Sequence, residues 1–208
     1  MKALGLLVAD GRFPAGGHAH SGGVEPAVAD GRVTDEETLG AFLAGRLATA
    51  GRVAAGLAAA ACAGGSPVAL LDREASARMA SPAVRQASRT QGRQLLRAAR
   101  SVLGIAVESD ELHHAVAIGV VSQAAGLTPV EAARWAAYES ITGPAAAAVR
   151  LLGLDPFRAW QAVADLAAEV DALAEAAPRW PTLPACSAPL LDIGAERHAV
   201  QEVRLFAS

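Results

Sequence analysis

Residues 81–102, SPAVRQASRTQGRQLLRAARSV, contain the signals that decide the fold of this chain. Ser81 is suited to cap the first turn of a helix, and Pro82 fits the first helical position, where an N–H is not needed. Together they predict one long α-helix that continues to about Val102. Gly92 lies inside this helix, where glycine costs about 1 kcal/mol relative to alanine. Its position indicates that another backbone approaches the helix closely.

The same helix carries arginines at steps of three or four residues. Each step of four advances about 40° beyond a full turn, so these side chains wind around one broad side of the helix. Like charges at this spacing slightly destabilise a helix, and only Asp72 and Glu74 offset them nearby. We therefore expect acidic partners elsewhere, and we favour ion pairs within the chain over a docking face for an acidic protein surface. The arginines are Arg85, Arg89, Arg93, Arg97 and Arg100.

Helix signals recur along the rest of the chain, without the period-two alternation of strands. Capping boxes begin at Thr34 and Thr128, and Gly143-Pro144 predicts an interruption of the second of these helices. Asp155-Pro156 begins a helix whose apolar stripe extends to Leu173. The predicted fold is all-α, a single-domain bundle of roughly eight to ten helices over residues 1–208. Further helices are expected over residues 52–63 and from His113 to Ala125.

Composition narrows the possible function classes. The net charge of −3 argues against general nucleic-acid binding. Residues 53–71 are uncharged, but Gly64 to Pro67 breaks them, so we interpret them as a buried helix and a turn, and expect no membrane contact. Cys62 and Cys186 show no paired spacing, which is typical of a reducing cytosol. The short apolar start ends at Asp10 and does not resemble a secretory signal, so we expect a cytoplasmic protein.

Two terminal segments differ from the helical body. Residues 11–33 contain six glycines and two histidines, which fits either a shaped contact segment within residues 1–33 or a flexible N-terminal arm. Residues 178–208 begin with four spaced prolines, which favour an extended path. A short closing helix is then expected to end in Leu205 and Phe206. These apolar side chains dock either on the core of the chain itself, which we favour, or on a partner.

The search for catalytic motifs is mostly negative. The sequence contains no GxxxxGK[ST], no GxGxxG after a strand, no HExxH and no GxSxG, so no cofactor is expected. His18 and His20 could contribute to a metal site, helped by His113, His114 or His198, but a closed site needs three or four ligands. We favour a structural role for both histidines. A metal-dependent helical enzyme centred on His18 and His20 remains the alternative hypothesis.

Three blocks of sequence together resemble the urease accessory protein F (UreF) family. The first is LLVADGRFPAGGHAHSGGVEPAVADGRV at residues 6–33. The second is RTQGRQLLR at 89–97, followed by AIGVVSQAAGL at 117–127 and AAAAVRLLGL at 145–154. The third is the ending DIGAERHAVQEVRLFAS, in which Asp192, His198, Arg204, Leu205 and Phe206 fit the closing pattern of the family. The blocks occur in the family's order and span nearly the whole chain.

The resemblance implies a cytoplasmic, non-enzymatic, all-helical chaperone that forms a homodimer and has no cofactor of its own. It implies that the chain couples the accessory protein UreD (also called UreH) to the GTPase UreG, and that the assembly inserts nickel into apo-urease. GTP is then hydrolysed by UreG. His18, His20 and Gly22 depart from the aromatic and Gln residues common in the family, and Gly153 to Pro156 replaces its Pro-Leu-Gly-Gln pattern.

The resemblance also implies which residues contact partners. The N-terminal block around Gly16 to Glu25 and the C-terminal block from His198 to Phe206 correspond to partner-facing segments. Two arginines of the long helix complete the predicted interface. The predicted partner-binding residues are Gly16, Gly17, His18, His20, Ser21, Glu25, Arg89, Arg93, His198, Arg204, Leu205 and Phe206.

Overall fold

A computed structural model describes residues 3–10, 13–107 and 109–206, and within these ranges the chain contains helices and no β-strand. The all-α prediction is therefore confirmed. The helices are α1 (Ala3–Ala9), α2 (Val24–Ala29), α3 (Glu36–Arg46), α4 (Arg52–Ala63), α5 (Val68–Ala77), α6 (Pro82–Leu103), α7 (His114–Ala124), α8 (Pro129–Leu152), α9 (Pro156–Asp165), α10 (Ala167–Ala176) and α11 (Pro189–Ala199).

Two pairs of these helices are nearly continuous. A π-helical turn, Leu47–Gly51, joins α3 directly to α4, and only Leu166 separates α9 from α10. Short 3₁₀ turns occur at Gly17–Ala19 and Ala177–Arg179. If α3 with α4 and α9 with α10 are each counted as one helix, the described residues contain nine helices, within the predicted range; counted singly they contain eleven.

The long helix predicted from Ser81 is confirmed as α6. The Ser81 side chain accepts a hydrogen bond from the Val84 N–H at 3.1 Å, as expected of an N-cap. A Cβ atom on Gly92 would lie 1.9 Å from the carbonyl oxygen of Leu112. The close backbone approach predicted from Gly92 is therefore present, and the approaching segment is the one that leads into α7.

Three predicted helix boundaries were wrong. Helix α8 passes through Gly143-Pro144 without a break, because another side chain replaces the N–H that Pro144 lacks: Arg46 Nε donates to the Ser140 carbonyl at 2.8 Å. The helix that begins at Pro156 breaks at Leu166 and does not continue to Leu173. The closing helix ends at Ala199, because the backbone N–H groups of the last residues bond to Glu25 and not to the preceding turn.

One of the two predicted capping boxes is confirmed at its predicted position, and the other is shifted by one residue. At Thr128 the side chain accepts from the Glu131 N–H, and the Glu131 carboxylate accepts from the Thr128 N–H, as predicted. The box at the start of α3 lies one residue later than expected. Asp35 is the N-cap, and it exchanges hydrogen bonds with Thr38.

The apolar core consists of two clusters that share helices α4 and α8. Leu57 of α4 and Trp135 of α8 belong to the first cluster, with α6 and α7. Ala59 of α4 and Ile141 of α8 belong to the second, with α2, α3, α9 and α10. Small alanines on α4 and α8 let these helices lie close together, which is how a chain with 4% aromatic residues fills its interior. Within the described residues, no helix is both long enough and apolar enough to span a bilayer.

Candidate functional site

The predicted N-terminal and C-terminal contact segments meet at Glu25, in the first turn of α2. Its carboxylate accepts hydrogen bonds from His198 Nε2 at 2.9 Å, from the Leu205 N–H at 2.8 Å and from the Phe206 N–H at 3.1 Å. His198 is fully buried. Hydrogen bonds to a charged acceptor are stronger than neutral ones. We call this arrangement the Glu25 clasp; it fixes the end of the chain against α2.

Further contacts attach α11 to the body of the chain. Arg197 forms an ion pair with Asp30, the residue that ends α2. The Asp30 carboxyl group has a lowered pKa, because Arg32 and Arg197 donate hydrogen bonds to it. On the other side, the Glu196 carboxylate accepts from the Ser81 hydroxyl and from the Ala83 N–H. These hydrogen bonds to the start of α6 lower the pKa of Glu196.

The clasp divides the apolar residues of the tail into a buried anchor and an exposed surface. Phe206 is buried in the second core cluster, with the Arg150 guanidinium 5.9 Å from its ring centre. The expectation that the tail docks on the chain's own core is thus confirmed for Phe206, and it is wrong for Leu205, which is 71% exposed. Val200 and Val203 are 82% and 83% exposed, and Leu190 and Ile193 of α11 are exposed as well. We call these five exposed side chains the tail surface.

The Gly-rich segment has a defined backbone from residue 13 onward. Gly16 has a φ of +74°, and a Cβ there would lie 2.1 Å from the Gln94 side chain, so only glycine fits against α6. Gly17 lies against Glu139 of α8. His20 and Ser21 are buried. The flexible-arm interpretation is wrong for residues 13–33, while Gly11 and Arg12 lie outside the described residues.

The candidate metal ligands do not form a larger set within the described residues. His18 lies in the 3₁₀ turn Gly17–Ala19, and its side chain is not among those that the structure describes. Among the described residues, no three His, Cys, Asp or Glu side chains form a group that could hold a metal ion. His113 and His114 point to different neighbours: the His113 ring contacts Ser76 and Ser88, whereas His114 Nε2 lies 3.2 Å from Glu139.

The arginines of α6 largely have partners within the chain, as we favoured. Arg89 forms an ion pair with Asp72 at 2.9 Å. Arg93 pairs with Glu111 at 2.8 Å. The remaining partners include Asp110 for Arg100 and the backbone carbonyl groups of residues 79 and 80 for Arg85. Arg89 is part-buried, whereas the Arg93 pair is exposed and accessible to another protein.

Next to Gly17 of the Gly-rich segment lies the carboxylate of Glu139, a site residue that the sequence did not reveal. Glu139 of α8 is held by His114 and Trp135 and lies near His20. Burial by itself would raise the pKa of the Glu139 carboxyl group, but these neighbours outweigh burial and lower it. Arg46, Glu139 and Glu196 were all missed as site residues. The only signal in the sequence was Pro144, whose missing N–H requires a donor for the Ser140 carbonyl but does not identify it.

The chain is similar in sequence to the members of one known protein family. The UreF family profile matches residues 33–167, more than half of the chain. A urease accessory protein UreF from Mycobacterium sp. (strain JLS) is 48% identical over 211 residues, which covers 98% of this chain and 97% of that protein. The UreF of Mycobacterium marinum is 46% identical over 215 residues, covering 99% and 98%. The UreF of Mycobacterium tuberculosis (strain ATCC 25618 / H37Rv) is 42% identical over 209 residues, with the same coverage.

Similarity over the full length places the chain in a class of all-helical accessory proteins that are not enzymes. Within that class, the chain belongs to the UreF family of urease accessory proteins, and its role is an accessory one in urease maturation. The alternative of a metal-dependent enzyme centred on His18 and His20 is therefore wrong.

Proposed function

We propose that this chain is a cytoplasmic scaffold that couples the GTPase UreG to UreD for GTP-dependent insertion of nickel into apo-urease. In this proposal UreG hydrolyses the GTP, nickel is the cargo, and the chain contributes binding surfaces only. It acts as a homodimer without a cofactor of its own. Membership of a family of urease accessory proteins supports the proposal.

The tail surface is the observation that carries the proposal. Val200, Val203 and Leu205 expose most of their apolar area although the backbone around them is fixed by the Glu25 clasp. These three exposed apolar side chains lie within a six-residue stretch, and exposed apolar side chains that form a patch are typical of a protein interface. A surface that is already ordered also binds with a smaller entropic cost than a disordered segment. We assign the tail surface to UreD.

The exposed pair of Arg93 and Glu111 on the α6 side fits a different, polar contact. Charged pairs at the rim of an interface mainly set the orientation and the association rate of the partners. We assign this face, together with the Gly-rich segment that contacts α6 at Gln94, to the assembly with UreG. Our proposed interface set is unchanged, and within it Glu25, His198 and Phe206 act by holding the tail in place. The set consists of Gly16, Gly17, His18, His20, Ser21, Glu25, Arg89, Arg93, His198, Arg204, Leu205 and Phe206.

Co-purification with UreD tests the assignment of the tail surface. The double variant Val203→Asp/Leu205→Asp removes exposed apolar side chains and keeps His198, Phe206 and the backbone N–H groups that bond to Glu25. Slow hydrogen exchange at the residue 205 and 206 amides checks that the clasp stays closed in spite of the added charge. We expect the variant to lose at least nine tenths of the UreD that co-purifies with the unmodified chain, while its circular dichroism is unchanged. Phe157→Asp, at an exposed site on α9, is the matched control. Equal recovery of UreD by the double variant and the control would overturn the assignment.

A further inference from the structure

A cavity of about 460 Å³ lies between the Gly-rich segment, helices α4 to α8 and residues 185–195. This volume is in the range of cavities that bind small molecules, roughly 300–1,000 Å³. Most of its wall is apolar, so it suits the hydrocarbon part of a ligand. The larger apolar side chains of the wall are Val53, Leu57, Met79, Val84, Ile118 and Leu191.

Arg46 enters this cavity from the end of α3, directly before the π-helical turn. Its Nε donates to the Ser140 carbonyl, the one for which Pro144 leaves no helical partner in α8. Gly22 lies over the guanidinium group, and a Cβ there would be 3.2 Å from Nη2. The guanidinium is therefore fixed in position by backbone groups on two sides.

The remaining donors of Arg46 are available to a ligand. In the part of the chain that the structure describes, neither Nη1 nor Nη2 makes a hydrogen bond, and no carboxylate forms an ion pair with the group. Burial lowers the pKa of Arg46 to about 10, so the guanidinium stays positively charged at neutral pH. Arg46 is partly buried and its Nε is bonded to the Ser140 carbonyl, and an anion beside its guanidinium in a mostly apolar cavity is attracted more strongly than in bulk water.

The other charged groups that line the cavity restrict the charge of the anion. Arg78 is already engaged with Glu74 and with backbone carbonyl groups. Asp192 accepts from the Ser81 N–H, and Glu139 pairs with His114. Asp192 and Glu139 are both acidic and line the same cavity as Arg46, so the repulsion they exert is greater on a dianion such as phosphate than on a monoanion. A single negative charge placed at Arg46 is favoured.

We propose that the cavity binds a small monocarboxylate with a short apolar chain, with its carboxylate on the Nη1 and Nη2 groups of Arg46. The planar fork of a guanidinium matches the two oxygens of a carboxylate, and the apolar wall accommodates the hydrocarbon chain. Gly17 and His20 of the proposed interface set line the same cavity, but Arg46 is not in that set, and binding of a small molecule goes beyond the scaffold function proposed above.

Isothermal titration calorimetry of the full chain with sodium hexanoate tests the site without any substitution. We expect one hexanoate per chain, and hexanamide, which has the same length and no charge, should bind at least tenfold more weakly. Inorganic phosphate should not compete with hexanoate. The proposal is overturned if butyrate, hexanoate and octanoate all fail to bind, or if hexanamide binds as well as hexanoate.

Substitution of Arg46 tests which group binds the carboxylate. Arg46→Gln should weaken hexanoate binding at least tenfold, and Arg46→Lys should retain more of the affinity because it keeps the charge. Arg158→Gln, an exposed arginine on α9, is the matched control and should bind as the unmodified chain does. Circular dichroism establishes that each variant is folded. Unchanged binding by a folded Arg46→Gln variant would show that the carboxylate binds elsewhere and would overturn the proposal. If that variant does not fold, the comparison of hexanoate with hexanamide on the unmodified chain still tests the proposal.

Discussion

At the scale of single residues, Glu25 accepts three hydrogen bonds that hold the end of the chain against α2. We predict that Glu25→Gln lowers the free energy of unfolding by about 1–3 kcal/mol, since it removes the charge that accepts three hydrogen bonds. An amide has one acceptor oxygen, so it leaves at least one of these donors unpaired. Urea unfolding gives the free energy, and hydrogen exchange at the Leu205 and Phe206 amides reports release of the tail.

The control for this prediction is Glu169→Gln, because Glu169 is exposed on α10 and the change also removes one negative charge. Its stability should stay within about 0.5 kcal/mol of the unmodified chain. If the Leu205 and Phe206 amides exchange equally slowly in both variants, the clasp does not hold the tail.

Gly92 and Gly143 allow a matched pair of glycine substitutions within helices. Gly92→Ala should destabilise the chain by about 1–3 kcal/mol, because the new Cβ would overlap the Leu112 carbonyl oxygen. Gly143→Ala should stabilise it by about 0.5–1 kcal/mol, since no atom lies within 4 Å of the new Cβ and alanine favours the helix. Urea unfolding measures both. Effects of the same sign would contradict the packing of α6 against the segment before α7.

Single residues also show what the sequence could and could not predict about the site. Glu25 and His198 were both predicted to belong to it, because each fits a pattern of the family. Their contact with each other was not predictable, because 173 residues separate them and no local rule pairs positions so distant. Both residues hold the tail through contacts inside the chain, whereas exposed neighbours such as Val203 form the surface.

At the scale of helices, His113 joins α5, α6 and α7. Its ring lies 2.8 Å from the Ser76 hydroxyl of α5 and 3.1 Å from the Ser88 hydroxyl of α6, and it precedes the first residue of α7. Burial, aided by Arg89, lowers the pKa of His113 to about 4, although Asp72 opposes the shift. The folded chain therefore keeps this histidine neutral where an unfolded chain would protonate it.

This lowered pKa predicts a loss of stability in mild acid. An unfolded histidine takes up a proton near pH 6.5, whereas folded His113 does so only near pH 4. As the pH falls through this window the unfolded state binds more protons, so the free energy of unfolding decreases, and above about pH 6.5 the effect is constant. Urea unfolding at several pH values measures the slope. His113→Gln should be less stable at pH 7 but should have a shallower slope; parallel curves would refute the assignment.

Helix α8 explains why one boundary could not be predicted from local signals. Gly143-Pro144 has the sequence of a helix break, and in isolation Pro144 would cost about 3 kcal/mol. The break does not occur because Arg46, 94 residues earlier, donates to the free carbonyl of Ser140. By contrast, the starts of α6 and α8 were predictable, since Ser81 and Thr128 provide their N-caps locally.

At the scale of the whole molecule, α4 and α8 connect the two apolar clusters. The helical class was predictable from alanine content and capping residues, because these determine local structure. The arrangement of the two clusters was not, since alanine occupies seven of the twelve positions of α4 and gives little preference for one face. The single domain over residues 1–208 stays a prediction, to which the sharing of α4 and α8 adds support.

The role of the whole molecule is tested by co-expressing urease with its other accessory proteins, with and without this chain. We expect at least a tenfold decrease in both the nickel content and the activity of urease when the chain is absent, because in the proposed function this chain is the component that connects UreG to UreD. The Val203→Asp/Leu205→Asp variant should resemble the absence of the chain, whereas Phe157→Asp should resemble the unmodified chain. Measuring nickel by mass spectrometry separates failed delivery from a damaged urease. Full nickel content in urease produced without the chain would refute the scaffold function. Full nickel content in urease produced with the double variant would show that the tail surface is not needed for that function.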